Sequence, residues 1–263
     1  MKCFDIYDQE NGISVGTLLY YEREKVFITE LAEGLDEWTA PLMFTAFVKK
    51  GILTIPRDIS TAWVRERLIP PTRQNIGSIL KTHKLKEYDE IRFLEISEGK
   101  CSQDSLIIKK TESIPEYVKI RMSGNLTDIL ISDDSVLAFF ADDTVRKIGL
   151  EKLVLIDGAE KLKNNRPLLE SGIIGAGGCY ATFNDSIDIP AAKLHEAGID
   201  LTLKRSDFIN FVQKNVFDTS EACQYLECSR QNMSYLVGKG ALSPVKTDVK
   251  GSLYLKSDLV SLF

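Results

Sequence analysis

Two short helical periods, one over Thr219 to Leu226 and one over Arg230 to Gly240, are separated only by the residues around Glu227-Cys228. That spacing restricts the fold more than any other feature, because helices joined across so short a turn must cross steeply. Thr219 or Ser220 is expected to cap the first helix, which carries Ala222, Cys223, Tyr225 and Leu226, and Ser229 to cap the second. In the second, Met233, Leu236 and Val237 supply an apolar side. Arg230, Gln231, Asn232, Ser234 and Tyr235 make the other side mostly polar, and Gly238 to Gly240 end the helix. Leu242 to Val245 and Leu253 to Leu255 then read as small strands joined around Gly251, and Ser257 as the cap of a last helix through Leu259 and Leu262.

The order helix, turn, helix, two-stranded wing, helix is that of a winged helix-turn-helix. The segment TSEACQYLECSRQNMSYLVGKGALSPVK, with YLKSDL after it, resembles the excisionase and MerR-type DNA-binding domains over nearly all of 217–263. Thr219, Ser220, Glu221 and Ala222 match the opening of the first helix, Ser229, Arg230 and Gln231 that of the recognition helix, Gly240 the residue before the wing, and Ser257-Asp258-Leu259 the close. The resemblance implies a bacterial protein whose second helix contacts double-stranded DNA. Physical chemistry agrees: a capped helix N-terminus offers backbone N–H groups to a phosphate, and Arg, Gln and Asn bond base edges in the major groove. From Ser229 to Lys256 five bases (Arg230, Lys239, Lys246, Lys250, Lys256) stand against Asp248, a net +4. The expected DNA-binding residues are therefore Ser229, Arg230, Gln231, Asn232, Ser234, Tyr235 and Lys239, with Lys246 and Lys250 at the wing positioned for phosphates. Thr247-Asp248-Val249 has no arginine where many relatives carry bases, which makes one module a weak binder and a homodimer on two half-sites the natural remedy.

The rest of the chain reads as two further α+β units, giving an α+β protein of two small mixed units followed by the winged helix-turn-helix: 1–112, 113–213 and 217–263. In the first, Val15 to Leu31 suits two strands, and Ala40 to Lys50 a helix stopped by Gly51. Ser60 to Leu68 and Thr72 to Leu80 follow as helices, the second capped by Thr72. Tyr88 to Ser97 reads as a strand, turning at Glu98-Gly99-Lys100 into a hairpin partner at Ser105 to Lys110. In the second, Lys119 to Met122, Leu126 to Ile131, Ser135 to Phe140 and Thr144 to Ile148 are β-type runs. Tyr180 to Ile189 alternates as a strand, and a helix from about Pro190 to Ala197 stops at Gly198. The segment SVLAFFADDTVRKIGLEKL with ATFNDSIDIPAAKLHEAGIDL resembles a small bacterial domain of unknown function often found beside a helix-turn-helix, which implies association and not chemistry. Trp63 to Asp104 is similar, more loosely, to short proteins encoded near HipA-type kinases, although no kinase motif is present. Arg57 to Lys86 carries seven bases against two acids, and its string Arg65, Arg67, Arg73, Gln74, Asn75 reads as a solvated helical face, with a nucleic-acid or protein-docking edge as the alternative.

Composition narrows the classes of function. The 263 residues are 44% hydrophobic and 27% charged with net charge −5, a globular balance that does not suit non-specific nucleic-acid packing. No apolar run approaches a membrane span, and the first residues lack a secretory pattern, so a soluble, cytoplasmic protein is expected. Five scattered cysteines without a C-x-x-C pair suit reduced thiols. Gly172, Gly175, Gly177 and Gly178 read as a turn and not a phosphate loop, His83 and His195 as surface residues, and Asp133-Asp134 and Asp142-Asp143 as turn acids. No catalytic residue, metal or cofactor is expected. The function expected is sequence-specific DNA binding by a homodimeric, non-enzymatic transcriptional regulator, with a protein partner for the N-terminal unit. The alternatives are an excisionase-like DNA-bending accessory protein and a protein-binding adaptor.

Overall fold

In a computed structural model, which describes residues 1–202, 205–260 and 262, the chain divides into two compact units, Met1–Ile120 and Arg121–Phe263. Side chains at 205, 206, 208, 248 and 249 are not described, so the side chains of Asp248 and Val249 noted above, and the terminal Phe263, lie outside the described set.

The first unit is an antiparallel sheet with helices on it. Strands β1 (Lys2–Asp8), β2 (Ile13–Tyr21), β3 (Val26–Leu31), β4 (Thr54–Ile55) and β5 (Leu106–Thr111) are ordered β4-β3-β2-β1-β5. Asp8 accepts from the N–H groups of Glu10 and Asn11 at 3.0 and 3.3 Å, closing the β1–β2 turn. Helices α1 (Thr45–Val48), α2 (Arg57–Glu66), α3 (Ile76–Thr82) and α4 (Glu90–Ser97) complete it, and Phe4, Leu18, Phe27, Trp63 and Leu94 lie in its core. Several expectations are corrected. Ala40 to Lys50 is not one helix: Pro41 opens a single 3₁₀ turn, Leu42–Phe44, before the four-residue α1. The cap of α3 is Asn75, without a side-chain bond, and not Thr72. Tyr88 to Ser97 is helical because the Asp89 carboxylate accepts from the N–H groups of Ile91 and Arg92, and Ile91 and Leu94 share one buried face. Glu98 (φ 52°) and Gly99 (φ 62°) then end that helix, and β5 pairs with β1 instead of closing a hairpin.

Helix α5 (Glu116–Ser123) replaces the strand expected at Lys119 to Met122; Val118 is its buried residue. In the second unit β6 (Leu126–Ile131), β7 (Ser135–Phe140) and β8 (Val145–Gly149) follow the expected runs. Helices α6 (Leu150–Leu153) and α7 (Arg166–Glu170) lead into β9 (Ile173–Ile174), β10 (Tyr180–Phe183) and β11 (Ile187–Pro190). Tyr180 to Ile189 is thus two strands, split by the three-residue connection 184–186, in which Asn184 and Asp185 take φ of 51° and 49° and the Ser186 N–H donates to Phe183 O at 3.2 Å. Next come α8 (Ala191–Ala197), β12 (Ile199–Asp200) and α9 (Arg205–Asn215), the last a helix the polar sequence did not announce. The sheets run β12-β8-β7-β6 and β11-β10-β9, over a core containing Leu126, Val136, Phe140, Phe183 and Ile189.

The glycine run is a packing turn. A Cβ at Gly175 would meet the Tyr180 ring at 2.1 Å, and Gly178 combines φ +73° with a Cβ position 2.1 Å from the Leu126 carbonyl oxygen. Gly178→Ala therefore adds left-handed strain to overpacking against backbone, and we expect it to lower the free energy of unfolding in urea by about 2–4 kcal/mol. Loss of less than about 1 kcal/mol would contradict this close approach.

Candidate nucleic-acid interface

The last residues of the second unit build a small module on a strand, β13 (Val216–Phe217), which pairs with β15 (Gly251–Leu255), itself paired with β14 (Lys246–Val249). Three helices surround this sheet: α10 (Thr219–Tyr225), α11 (Arg230–Gly238) and α12 (Lys256–Val260). Ala222, Met233, Leu242, Tyr254 and Leu259 form the core. The first strand of the hairpin lies at Lys246–Val249 and not at Leu242 to Val245, since Leu242 is buried in the core while the ladder begins with Lys246 opposite Leu253.

Each helix end has an identifiable device. Asp218, and not Thr219 or Ser220, caps α10: its carboxylate accepts from the N–H groups of Ser220 and Glu221 at 2.7 and 2.8 Å, and Glu221 accepts from the Asp218 N–H at 2.8 Å. Three backbone donors are thereby satisfied, those of Asp218 and Glu221 reciprocally. Thr219 instead ties the helix to β15, its hydroxyl accepting from the Ser252 N–H at 3.2 Å. At the other end the Glu227 N–H donates to Gln224 O at 3.2 Å and the Cys228 N–H to Cys223 O at 2.9 Å, with Glu227 at φ 49°. These paired bonds and one left-handed residue are a Schellman ending, which turns the chain sharply into α11. Ser229 caps α11, its hydroxyl accepting from the Asn232 N–H at 3.3 Å. A second ending of the same kind closes α11 at Gly240, φ +69°.

Met233, 1% exposed, fixes which side of α11 faces inward. Ser229, Arg230, Gln231, Asn232, Ser234, Tyr235 and Lys239 are all exposed, as are Lys246 and Lys250 on the hairpin. The nine expected residues thus fall on two neighbouring elements, seven on or flanking one helix and two on the hairpin. Arg230 donates to the Ser220 hydroxyl at 2.9 Å, and the Lys239 ammonium lies 5.3 Å from the centre of the Tyr235 ring. The first turn of α11 leaves N–H groups without intrahelical partners on the side where Arg230 and Gln231 emerge.

The chain matches no family model, no curated protein and no solved structure. The geometry therefore stands by itself.

Other charged features have structural roles. Arg67 does not belong to a solvated face: its side chain is 3% exposed, lies 4.1 Å from the centre of the Trp63 ring, and donates to Gly99 O at 3.2 Å and to Asp104. Arg65 pairs with Glu90 at 2.7 Å, and Arg73 donates to the Asn75 side chain at 2.9 Å. His83 is exposed, but His195 is half-buried with its ring against Phe140 at 4.9 Å, so packing and not the surface accounts for it. Asp142 accepts from the Thr144 N–H and hydroxyl, which is turn chemistry. Among the described residues no group of three or more His, Cys, Asp or Glu is placed to hold a metal ion, and no helix is long and apolar enough to cross a membrane. A cavity of about 260 Å³ beside Lys214 and Lys256 falls short of the roughly 300–1,000 Å³ of small-molecule sites.

Sequence reasoning missed the contact that joins the module to the sheet before it. Ser257 does not cap α12; it lies inside that helix, buried, and its hydroxyl donates to the Asp128 carboxylate at 3.1 Å. The other Asp128 oxygen accepts from the Ile129 N–H at 2.8 Å. Burial, reinforced by Asp258 and opposed by those two bonds and by Lys256, pushes the Asp128 carboxyl up to about 6. The folded chain then holds a proton that the unfolded chain releases near 4, so stability falls as pH rises from about 4 to about 6 and stays lower above. Asp128→Asn keeps a neutral polar group opposite Ser257. We expect it to stabilise the second unit by on the order of 2–3 kcal/mol at about pH 8 and to have little effect at about pH 4, as read by urea unfolding.

Proposed function

We propose that the chain is a sequence-specific DNA-binding protein, in the simplest case a cytoplasmic transcriptional regulator, whose C-terminal module acts as a winged helix-turn-helix with α11 in the major groove. The observation that carries this reading is the one-sidedness of α11. Met233 anchors it from behind, while Arg230, Gln231, Asn232, Ser234 and Tyr235 project from the exposed side. Arg donates in pairs to guanine, and Gln and Asn bond adenine in the same groove. The surrounding +4 from Ser229 to Lys256 favours a polyanion although the whole chain is at −5. Lys246 and Lys250 on the hairpin take phosphates, which set register without reading sequence.

One such module covers few base pairs, so the functional species in this reading is a homodimer on two half-sites. The upstream parts of the chain supply dimerisation and partner contact, and no catalytic step is involved.

Selection from a random duplex pool tests the reading. The expected result is an enriched motif in paired halves spaced by about one helical turn, roughly 34–36 Å. Failure to enrich any motif would overturn it. On the selected duplex Arg230→Ala should cost about 1–3 kcal/mol and relax preference at one position. Lys246→Ala should instead weaken all sequences alike and flatten the salt dependence by about one ion. Titrations at several salt concentrations separate these effects.

A further inference from the structure

The C-terminal module leaves unused the basic stretch of the first unit, and long-range contacts sort the charges in it. Arg65 is paired with Glu90 and Arg67 with Asp104. Between Pro71 and Lys86 four cations remain, Arg73, Lys81, Lys84 and Lys86, with no acid among the same residues. All four are exposed. Arg73 donates to the Asn75 side chain at 2.9 Å, a neutral partner that leaves its charge uncompensated, and the side chains of Lys81, Lys84 and Lys86 have no ion-pair partner among the described residues. Of the acids that follow, Glu87 is exposed just past the stretch, Asp89 caps α4 and Glu90 is held by Arg65.

Packing and turn geometry keep these cations outward. Ile76, Ile79, Leu80 and Leu85 are the large apolar residues of the stretch, and all four pack against the core of the first unit, which leaves the polar residues on the opposite side of α3. The helix ends in a Schellman reversal: the Lys84 N–H donates to Lys81 O at 3.1 Å and the Leu85 N–H to Leu80 O at 2.9 Å, with Lys84 at φ 55°. Glycine takes such a left-handed position with less strain, so the turn alone gives no reason for a lysine there. The helix dipole does not account for the set either. It favours a cation in the last turn, which covers Lys81, but Arg73 precedes the N-terminus, where a cation is disfavoured, and Lys86 stands beyond the reversal.

What the face lacks points to its partner. No large apolar or aromatic side chain is exposed in 71–86. A protein interface needs such anchors, a helix lying on a membrane needs apolar side chains to insert, and single-stranded nucleic acid is held by aromatic stacking. Cations interspersed with short hydrogen-bonding side chains, here Thr72, Gln74, Ser78 and Thr82, suit the phosphates of a duplex.

We propose that Arg73, Lys81, Lys84 and Lys86 form a second, sequence-independent surface for duplex DNA, which takes backbone phosphates while α11 reads bases. The identity of the partner rests on the function proposed above. Lysine stems reach phosphates with their tips, so the contribution is read in salt dependence: each phosphate neutralised on B-form DNA changes the slope of log affinity against log salt by about 0.9.

The test titrates the full chain, over a series of salt concentrations, against the selected duplex, a shuffled duplex of equal length and a single-stranded RNA. Combining Lys81→Gln, Lys84→Gly and Lys86→Gln removes three cations, and glycine at 84 relieves the left-handed strain, so the variant should unfold in urea as the wild type does. The slope should flatten by about two to three on both duplexes alike. If the combined variant does not fold, Lys86→Gln alone, outside α3, carries the same test at about one ion. An unchanged slope on both duplexes would overturn this surface and leave the α11 reading standing. Loss of affinity for the RNA alone would assign the face to RNA and overturn the duplex proposal. Flattening on both duplexes, with Arg230→Ala changing nothing on the selected one, would overturn the α11 reading and leave this surface standing. Where selection enriches no motif, the shuffled duplex alone decides between a flattened and an unchanged slope.

Discussion

Burial of Met233 is the interaction on which the C-terminal module depends. Helices of the length of α10 and α11 do not persist alone in water, because nucleating each one fixes several residues for few hydrogen bonds. They persist by sharing one apolar centre, and Met233 at 1% exposure is the contribution of α11 to it, beside Ala222, Leu242, Tyr254 and Leu259. Once Met233 points inward, the helical period sends Arg230, Gln231, Ser234 and Tyr235 outward. The polar face is therefore a consequence of packing, and its exposure is what any duplex would meet.

Small cores need help from local devices, and this one has them at every chain reversal. The reciprocal Asp218 and Glu221 bonds start α10, the left-handed Glu227 ends it, Ser229 starts α11 and Gly240 ends it. The module also leans on the sheet preceding it through Ser257 and Asp128, a contact that places a carboxyl in surroundings hostile to its charge. A neutral carboxyl satisfies the Ser257 hydroxyl and costs less than a buried anion, which couples this joint to protonation.

The sequence was most legible where one residue type has one physical job. Runs such as Ser135 to Phe140, bounded by acids that make turns, are strands; Ser229 before a helical period is a cap; Glu227-Cys228 is a reversal. It misled where two periods fit the same letters. Ile91 and Phe93 on either side of Arg92 read like a strand, but Asp89 takes the N–H groups of Ile91 and Arg92 and commits the segment to a helix. Arg67 reads as one charge in a surface string, yet it lies under Trp63 and Asp104, and only the long-range partners reveal it. Asp128 with Ser257 was invisible because the two residues lie 129 positions apart in the chain. The candidate interface could be named residue by residue because it lies on contiguous sequence.

Hydrogen exchange of the full chain with and without a selected duplex measures the central claim directly. Protection should concentrate in the peptides spanning 229–239 and the hairpin at 246–255, where α11 and its flanking strands would lie against DNA. Unchanged exchange across 229–239, with protection confined to the basic stretch at 57–86, would contradict the account.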